Sequence, residues 1–227
     1  MSKNILSYLS QLEQNNNREW YHSHKKEYQT AMQDFENIIQ GLIMEIGKTD
    51  SSILHNNPKD LTFKLVRDTR FFHDKSPYNP VFRCHIAPAG KLPVPVGYFL
   101  FIAPGNRSFL GGGLFADMFK DATGLVRKYI NSHREEFLNI VEQSDFKKHF
   151  EVKGTSLKKV PKEYEANSPV SEYIKYKSWY LEFPLLDEHL LADESDFVSY
   201  AAEIFLLMKP FNDFLNRALE GFVLPER

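Results

Sequence analysis

The sequence predicts an α+β fold, a single compact domain whose central, mostly antiparallel sheet packs against helices from both ends of the chain. Apolar residues recur every three or four positions near both ends, as on one face of a helix. Alternating residues and one continuous apolar run, both typical of strands, lie between them. Because strands and helices do not alternate regularly, a parallel sheet of βαβ units is not predicted. With 227 residues, 42% of them hydrophobic, the chain can bury a large core without disulfides.

Residues 1–50 are predicted to be helical. A short amphipathic helix opens the chain, and a long helix should follow the asparagine-rich turn at 15–17. Asn16 with Glu19 three residues later resembles a capping box for the long helix, which Gly47 can end. The apolar stripes of the two helices are Ile5, Leu6, Leu9 and Leu12, and then Trp20, His24, Tyr28, Ala31, Phe35, Ile38, Leu42 and Ile46.

The sheet is predicted within residues 60–115. Residues 63–67 and 81–86 alternate, so each segment is expected to turn one row of side chains towards the core. Residues 96–102 form a continuous, aromatic-rich apolar run, which predicts a central strand buried on both faces. After a turn, residues 108–110 should pair back as an antiparallel strand.

Three consecutive glycines, Gly111–Gly113, are expected to end that strand. The backbone amides of such a run can hold an anion, but neither a phosphate-loop nor a dinucleotide-binding spacing surrounds them. Glycines at a strand end more often permit a bulge or the close approach of a helix, and this interpretation is favoured here.

The second half of the chain is mainly helical. Residues 116–150 are predicted to be helical, with the first helix beginning at Asp117. Residues 176–183 alternate again and predict one further strand. Residues 187–220 carry a strong helical stripe, which Pro210 should kink or restart.

Composition limits the classes of protein. The net charge of -2 argues against a general nucleic-acid coat protein, so nucleic acid is not a favoured partner. The single cysteine, Cys84, fits a reducing compartment, and its place on an alternating apolar face predicts an inert core thiol. The chain has neither an apolar run of membrane-spanning length nor a signal-peptide core, which predicts a cytoplasmic protein without a membrane partner. It carries no signal of an oligomeric state.

The segment 67–78 is the strongest candidate for chemistry. It reads as a polar loop closed by Ser-Pro, with three basic and two acidic side chains. Arginine offers forked donors that match phosphate or carboxylate, and lysine adds a point charge. Because an unpaired buried charge is costly, Arg67 is expected either to be paired in the interior or to line a cleft. The charged and aromatic candidates in the loop are Arg67, Asp68, Arg70, Asp74, Lys75 and Tyr78.

A second group of candidates lies at the start of the long predicted helix. Arg18 adds a cation and Trp20 an aromatic surface. His24 falls on the apolar stripe, where core packing is one explanation. An imidazole would also suit acid–base chemistry if the ring faced a cleft.

Several kinds of site are excluded by the sequence. It contains no His-Glu-x-x-His motif and no cysteine–histidine cluster, so no metal site is predicted. It also lacks the nucleophile elbow of hydrolases and the glycine signatures of nucleotide cofactors. No particular cofactor is therefore indicated.

Short motifs are spread over most of the chain: Asn-Asn-Arg-Glu-Trp at 16–20, His24-Lys25, Arg-Asp-Thr-Arg-Phe at 67–71, Asp-Lys-Ser-Pro-Tyr at 74–78, Gly97-Tyr98, Pro104-Gly105, Gly-Gly-Gly-Leu at 111–114, Leu-Lys-Lys at 157–159, Pro161-Lys162, Lys177-Ser178 and Lys209-Pro210. Together these motifs resemble the conserved family catalogued as domain of unknown function 2461. Asn79 replaces a usual lysine, Glu163 a usual glycine, and Phe72-His73 a usual small polar pair. The resemblance implies a single α+β domain and no known activity.

The scattered polar motifs suggest one cationic cleft that holds a phosphate- or carboxylate-bearing ligand or a nucleotide, with binding and catalysis both open. Trp20 and Tyr78 would offer stacking surface there. The expected binding residues are Arg18, Trp20, Arg67, Arg70, Lys75, Tyr78, Lys158 and Lys177. The expected catalytic residues are His24, Asp68 and Asp74, with the aspartates orienting the bases or accepting a proton.

The alternative is a non-catalytic structural or protein-interaction domain. In that case the same arginines and aspartates of the 67–78 loop form salt bridges that fix the loop, and no cavity lies beside them.

Overall fold

The computed structural model describes residues 2–70, 73–115 and 119–225. Its strands are β1 (Phe82–Ile86), β2 (Tyr98–Ile102), β3 (Ser108–Leu114) and β4 (Trp179–Leu185). Its helices are α1 (Ser2–Gln14), α2 (Arg18–Ser23), α3 (Lys25–Gly47), α4 (Pro58–Leu61), α5 (Lys120–Ser132), α6 (Arg134–Val141), α7 (Ser144–His149), α8 (Ser171–Ile174), α9 (Asp187–Leu191) and α10 (Glu194–Ala218), with one 3-10 turn at Ser51–Ile53.

The strands form one antiparallel sheet in the order β1-β2-β3-β4. The first three strands are a meander, and β4 returns from the helical second half of the chain to pair with β3 over its full length, from Ser108 opposite Leu185 to Leu114 opposite Trp179. Helices from both ends of the chain pack on this sheet, which confirms the predicted α+β class.

One helical layer covers the inner face of the sheet. The helix α10 packs against β3, while α3 packs against α10 and β1, and α1 lies along α3. The core between the layers contains fully buried aromatic side chains such as Phe35, Trp179 and Phe205. Cys84 is completely buried on this face, and burial raises the pKa of its thiol to about 12, as expected for an inert core cysteine.

The outer face of the sheet is aromatic and only partly covered. Phe99 and Phe101 of β2 remain half-buried there, so the prediction that this strand is buried on both faces is wrong. The physical reason is that the rings shield one another: Phe101 stacks on Phe109 with centroids 4.8 Å apart, and Phe99 lies 5.4 Å from Phe115. Mutual packing of rings replaces a second helical layer.

The three glycines do not end β3 but lie inside it, which corrects the expected strand boundary. They let α10 and β4 approach closely. A Cβ on Gly112 would meet Met208 at 3.0 Å, and one on Gly113 would lie 2.3 Å from the carbonyl oxygen of Trp179. The Gly113 amide donates to Oδ1 of Asn212 at 2.7 Å. The favoured interpretation, close approach of a helix, therefore agrees with the structure.

The long N-terminal helix is interrupted, contrary to prediction. The helix α2 ends and α3 begins at His24, whose backbone (φ -106°, ψ 30°) leaves the helical region. Asn17, and not Asn16, caps α2: its Oδ1 accepts from the Trp20 amide at 2.9 Å. The break leaves the spacing of apolar residues almost unchanged, so periodicity alone did not reveal it.

Three other boundaries differ from the sequence prediction. In place of a strand at 63–67, residues 62–67 form isolated bridges, Thr62 with Cys84 and Val66 with Tyr78. The last strand is β4, which begins later than the predicted 176–183 because Tyr176 and Lys177 pair with Ser156 and Thr155 before it. The helix α10 runs through Pro210 without restarting. The predicted helix start at Asp117 lies outside the described residues.

Candidate functional site

The two ends of the 67–78 loop are joined by backbone hydrogen bonds, and we call this junction the neck of the loop. The Arg67 amide donates to the Pro77 carbonyl at 2.9 Å, and the Asn79 amide donates to the Leu65 carbonyl at 2.7 Å. Tyr78, which is 5% exposed, stacks on Tyr21 of α2 with centroids 4.3 Å apart. These contacts fix the base of the loop against α2.

The turn between α1 and α2 is joined to the same neck. Asn16 donates through Nδ2 to the Tyr78 carbonyl at 2.9 Å and accepts the Tyr78 amide at 3.1 Å. Asn17, the next residue, caps α2. Arg18 and His22 follow on α2, and this connection brings both of them beside the loop.

A hollow of about 510 Å³ lies between α2 and the loop. Among the residues that the structure describes, three cationic side chains and no carboxylate line it. Two of these cations, Arg67 and Lys75, come from the loop, while Arg18 comes from a segment about fifty residues earlier. The full lining is Asn16, Asn17, Arg18, His22, Val66, Arg67, Thr69, Lys75, Pro77 and Tyr78.

The three cations differ in how firmly they are held. Arg67, whose side chain is 21% exposed, pairs through Nη1 with Oδ2 of Asp74 at 2.5 Å. Lys75 donates through Nζ to the Thr69 carbonyl at 2.9 Å. Arg18 is exposed and forms neither a hydrogen bond nor an ion pair within the described ranges 2–70, 73–115 and 119–225.

Asp74 is a firmly ionised carboxylate at the edge of the hollow. The Ser76 hydroxyl and amide donate to its Oδ1 at 2.6 and 2.9 Å, and Arg67 donates to its Oδ2. These hydrogen bonds, those of Ser76 first, lower the pKa of Asp74 to about 2. A carboxylate with this pKa is a weak proton acceptor near neutral pH and is better suited to orienting Arg67.

Arg70 and Asp68 form a separate local pair. Nε and Nη2 of Arg70 donate to Oδ1 and Oδ2 of Asp68 at 2.9 and 2.6 Å, and the Arg70 amide also donates to Oδ1. Hydrogen bonds from Arg70 lower the pKa of Asp68 to about 2. Neither residue is part of the lining of the hollow, and both side chains are largely exposed.

His24 and Trp20 are packed against each other and lie outside the lining. Their rings stack with centroids 4.0 Å apart, and Nδ1 of His24 lies 2.9 Å from the Trp20 carbonyl oxygen. Trp20 also packs on Tyr8 of α1. The predicted catalytic role of His24 and the predicted stacking role of Trp20 thus gain no support from the geometry of this hollow.

Lys158 and Lys177 belong to another region of the surface. The segment around Lys158 pairs with the residues that precede β4, through the Leu157 amide to the Lys175 carbonyl and the Lys177 amide to the Thr155 carbonyl. Neither lysine lines the hollow. The structure therefore brings together Arg18, Arg67, Lys75 and Tyr78 and leaves these two lysines apart.

Four polar lining residues were not among the ligands predicted from the sequence: Asn16, Asn17, His22 and Thr69. Asn16, Asn17 and Thr69 stand inside two motifs of the family resemblance, which was the available signal. His22 and His24 are two positions apart, so on one helix they point to different faces. This spacing argues against a shared metal site but not against a separate role for His22.

A second, larger hollow of about 690 Å³ lies at the C-terminal end of α10. Two of its charged lining residues are engaged in ion pairs: Asp213 with Lys209 at 2.7 Å, and Arg217 with Glu136. A third, Glu220, is a carboxylate, so this hollow does not have the excess of cations found beside α2.

The described residues were also assessed for metal and membrane sites. Within the three described ranges, histidine, cysteine, aspartate and glutamate side chains do not gather in threes as metal ligands. None of the helices in that part of the chain is both long and apolar enough to cross a membrane.

Comparison with known proteins gives one match. No curated protein and no solved structure matches the chain. A family model described as conserved hypothetical protein (DUF2461) matches residues 4–214, nearly the whole chain and both segments that form the hollow. The chain therefore belongs to the DUF2461 family of conserved hypothetical proteins.

Proposed function

We propose that this protein binds a small phosphate-bearing ligand in the hollow between α2 and the 67–78 loop. One observation carries the proposal: cations from two distant segments, Arg18 and the pair Arg67 and Lys75, line one hollow. Within the described part of the chain, no carboxylate lines it. Arg67 is paired with Asp74, but the lining as a whole presents more positive than negative charge, and this excess attracts an anion. The lone, buried Cys84 is consistent with a cytoplasmic setting for this function.

Phosphate is favoured over carboxylate because of the number and kind of donors. Arg18 and Arg67 offer planar guanidinium forks, and Lys75 offers an ammonium group, which together match an anion with several oxygens and more than one charge. Asp74 lies outside the lining but orients Arg67 from behind. The proposal concerns binding; the candidate acid–base groups His24 and Asp68 are outside the hollow.

The test is thermal unfolding and titration calorimetry with inorganic phosphate and simple phosphate monoesters at low salt. A ligand at a hundred times its dissociation constant stabilises the folded state by about 2.7 kcal/mol, which corresponds to a shift of roughly 5 to 10 °C for a chain of this size. Arg18→Gln should abolish the shift while leaving the stability of the free protein unchanged, because Arg18 has no partner within the described residues.

Arg70→Gln is the matched control, since it removes an arginine from the same loop but outside the hollow. It should retain phosphate binding. Equal loss of binding in both variants would indicate a general charge effect and would contradict a defined site.

The second candidate is a structural loop fixed by salt bridges, which the pairs Arg67–Asp74 and Arg70–Asp68 favour. This candidate predicts that no phosphate compound shifts the unfolding midpoint. It also predicts that Arg67→Gln destabilises the free protein by more than about 1 kcal/mol, the upper range for a surface ion pair.

A further inference from the structure

We infer that the ligand of this hollow is the phosphate monoester of a small polyhydroxylated compound, such as a sugar phosphate, and not a nucleotide held by its base. This inference rests on the proposed function. It follows from the part of the lining that remains after the three cations are assigned to the phosphate group. That remainder is rich in hydrogen-bonding groups, and its tyrosine, Tyr78, is only 5% exposed.

Two neutral groups have hydrogen-bonding capacity to spare. Asn17 uses Oδ1 to cap α2, and its Nδ2 has no partner among residues 2–70, 73–115 and 119–225. Thr69 uses its backbone carbonyl to accept from Lys75, and its hydroxyl has no partner within the same described ranges. An amide donor and a hydroxyl that can both donate and accept are suited to the hydroxyl groups of a ligand.

His22 adds a third polar group to the lining of the hollow. Its side chain is exposed on α2 and contacts the edge of the Tyr21 ring, with centroids 5.7 Å apart. The apolar part of the lining is small, consisting of Val66, which is 64% exposed, and Pro77. A ligand with a large apolar body would therefore find little surface to cover.

Stacking of a nucleobase is disfavoured by the aromatic residues themselves. Tyr78 lines the hollow but is 5% exposed and already stacks on Tyr21. Trp20 stacks on His24 and is not in the lining. Base–aromatic stacking supplies roughly tenfold or more in affinity per base where a ring face is available. Of the described lining residues, His22 alone has an exposed ring, and that ring already lies against Tyr21 with centroids 5.7 Å apart.

Three probes separate these contributions: ethyl phosphate, ribose 5-phosphate and adenosine monophosphate. Ribose 5-phosphate adds hydroxyl groups to the phosphate, and adenosine monophosphate adds a base to nearly the same sugar phosphate. We expect ribose 5-phosphate to bind about tenfold more tightly than ethyl phosphate, the gain from one or two hydrogen bonds. Adenosine monophosphate should bind no more tightly than ribose 5-phosphate. Calorimetry on the full chain measures all three.

Two conservative variants locate the hydroxyl contacts. Thr69→Val keeps the shape of the side chain and the backbone carbonyl that accepts from Lys75. Asn17→Ser keeps a capping oxygen for α2 but removes the amide donor. Each should reduce the affinity for ribose 5-phosphate several-fold and leave the affinity for ethyl phosphate unchanged.

The outcomes distinguish this inference from the proposed function on which it rests. If ethyl phosphate binds as tightly as ribose 5-phosphate, or adenosine monophosphate binds tenfold more tightly, the polyol inference is wrong while phosphate binding stands. If inorganic phosphate and all three probes fail to bind, both are wrong. Unchanged ribose 5-phosphate binding in both variants would likewise overturn the assigned contacts.

Discussion

The side chain of Asn16 makes a paired hydrogen bond with the backbone of Tyr78, donating to its carbonyl at 2.9 Å and accepting its amide at 3.1 Å. The two residues are 62 positions apart in the chain. This contact ties the turn between α1 and α2 to the neck of the 67–78 loop. The relative position of Arg18 and Arg67, and hence the shape of the hollow, depends on it.

Replacing Asn16 should measurably destabilise the protein. Asn16→Ala removes both hydrogen bonds and leaves a partly buried amide and carbonyl of Tyr78 without their partner, so we expect a loss of about 1 to 3 kcal/mol in the free energy of unfolding. Chemical denaturation measures this loss. Asn15→Ala is the control: its side chain bonds only the exposed Gln11 carbonyl, and its effect should stay within about 0.5 kcal/mol. Equal losses of stability in Asn16→Ala and Asn15→Ala would contradict a stabilising role for the paired hydrogen bond between Asn16 and Tyr78.

Asp74 should make the free energy of unfolding depend on pH in the acidic range. Hydrogen bonds from Ser76, followed by that from Arg67, lower its pKa from 3.8 to about 2. A depressed carboxyl pKa stabilises the folded state above the ordinary value, and this contribution is lost as the pH falls towards the folded-state value. The difference in unfolding free energy between wild type and Asp74→Asn should therefore shrink between about pH 4 and about pH 2.

An NMR titration of the carboxyl carbons checks the cause of that shift. Because the Ser76 hydroxyl is the largest single cause of the shift, Ser76→Ala should move the midpoint of Asp74 back towards 3.8, and Arg67→Gln should move it in the same direction. A wild-type Asp74 that titrates at its ordinary value would show that these hydrogen bonds do not persist in solution.

The sequence correctly predicted elements whose apolar pattern follows from the burial of one face. Phe82, Cys84 and Ile86 alternate because one face of β1 meets the core, and all three are buried. The sequence analysis failed where a local change in the backbone leaves the spacing of apolar residues unchanged. The break at His24 ends one helix and starts another, yet Trp20 and Tyr28 keep the spacing of a single stripe. Residues 63–67 alternate but have too few backbone partners to form a strand.

The types of residue in the site could be predicted from the sequence. Which individual residues line the hollow was predicted less well. Arg18, Arg67 and Lys75 come together because Asn16 and the neck of the loop set two distant segments side by side, a contact that no local pattern reveals. Arg70 lies in the same loop but is captured by Asp68 two residues away. Side-chain direction in an irregular loop depends on such local hydrogen bonds, which periodicity does not report.

His85 should cause the free energy of unfolding to fall as the pH is lowered from neutral to moderately acidic values. Burial lowers its pKa from 6.5 to about 4, against the opposing effect of hydrogen bonds to the backbone at Leu92 and Lys91. Over this interval the unfolded chain binds a proton that the folded chain does not, so the free energy of unfolding falls as the pH falls. The contribution reaches about 3 kcal/mol near pH 4.

Comparison of wild type with His85→Gln isolates that contribution, since glutamine is polar and does not titrate. The variant is expected to lose stability at neutral pH through poorer packing, but its stability should depend less steeply on pH between about 6.5 and 4. Parallel pH profiles for the two proteins, or a His85 ring that titrates near its ordinary value in NMR, would contradict the buried neutral state.

Gly113 and Gly124 form a matched pair that tests why β3 carries consecutive glycines. Gly113 has a φ of +87°, and a Cβ there would lie 2.3 Å from the Trp179 carbonyl oxygen and 2.9 Å from the Phe211 ring, whereas a Cβ on Gly124 in α5 meets nothing within 4 Å. Gly113→Ala should therefore cost about 3 kcal/mol or more, because it combines backbone strain with overpacking.

Gly124→Ala should instead stabilise the protein by about 0.5 to 1 kcal/mol, as expected for alanine in an exposed part of a helix. Chemical denaturation of both variants gives the comparison. Near-equal stabilities would show that β3, β4 and α10 are not as closely packed as described. If Gly113→Ala is destabilised but still folded and binds phosphate like wild type, the glycines serve packing and the anion belongs to the hollow beside α2, because the Gly113 amide already donates to Asn212.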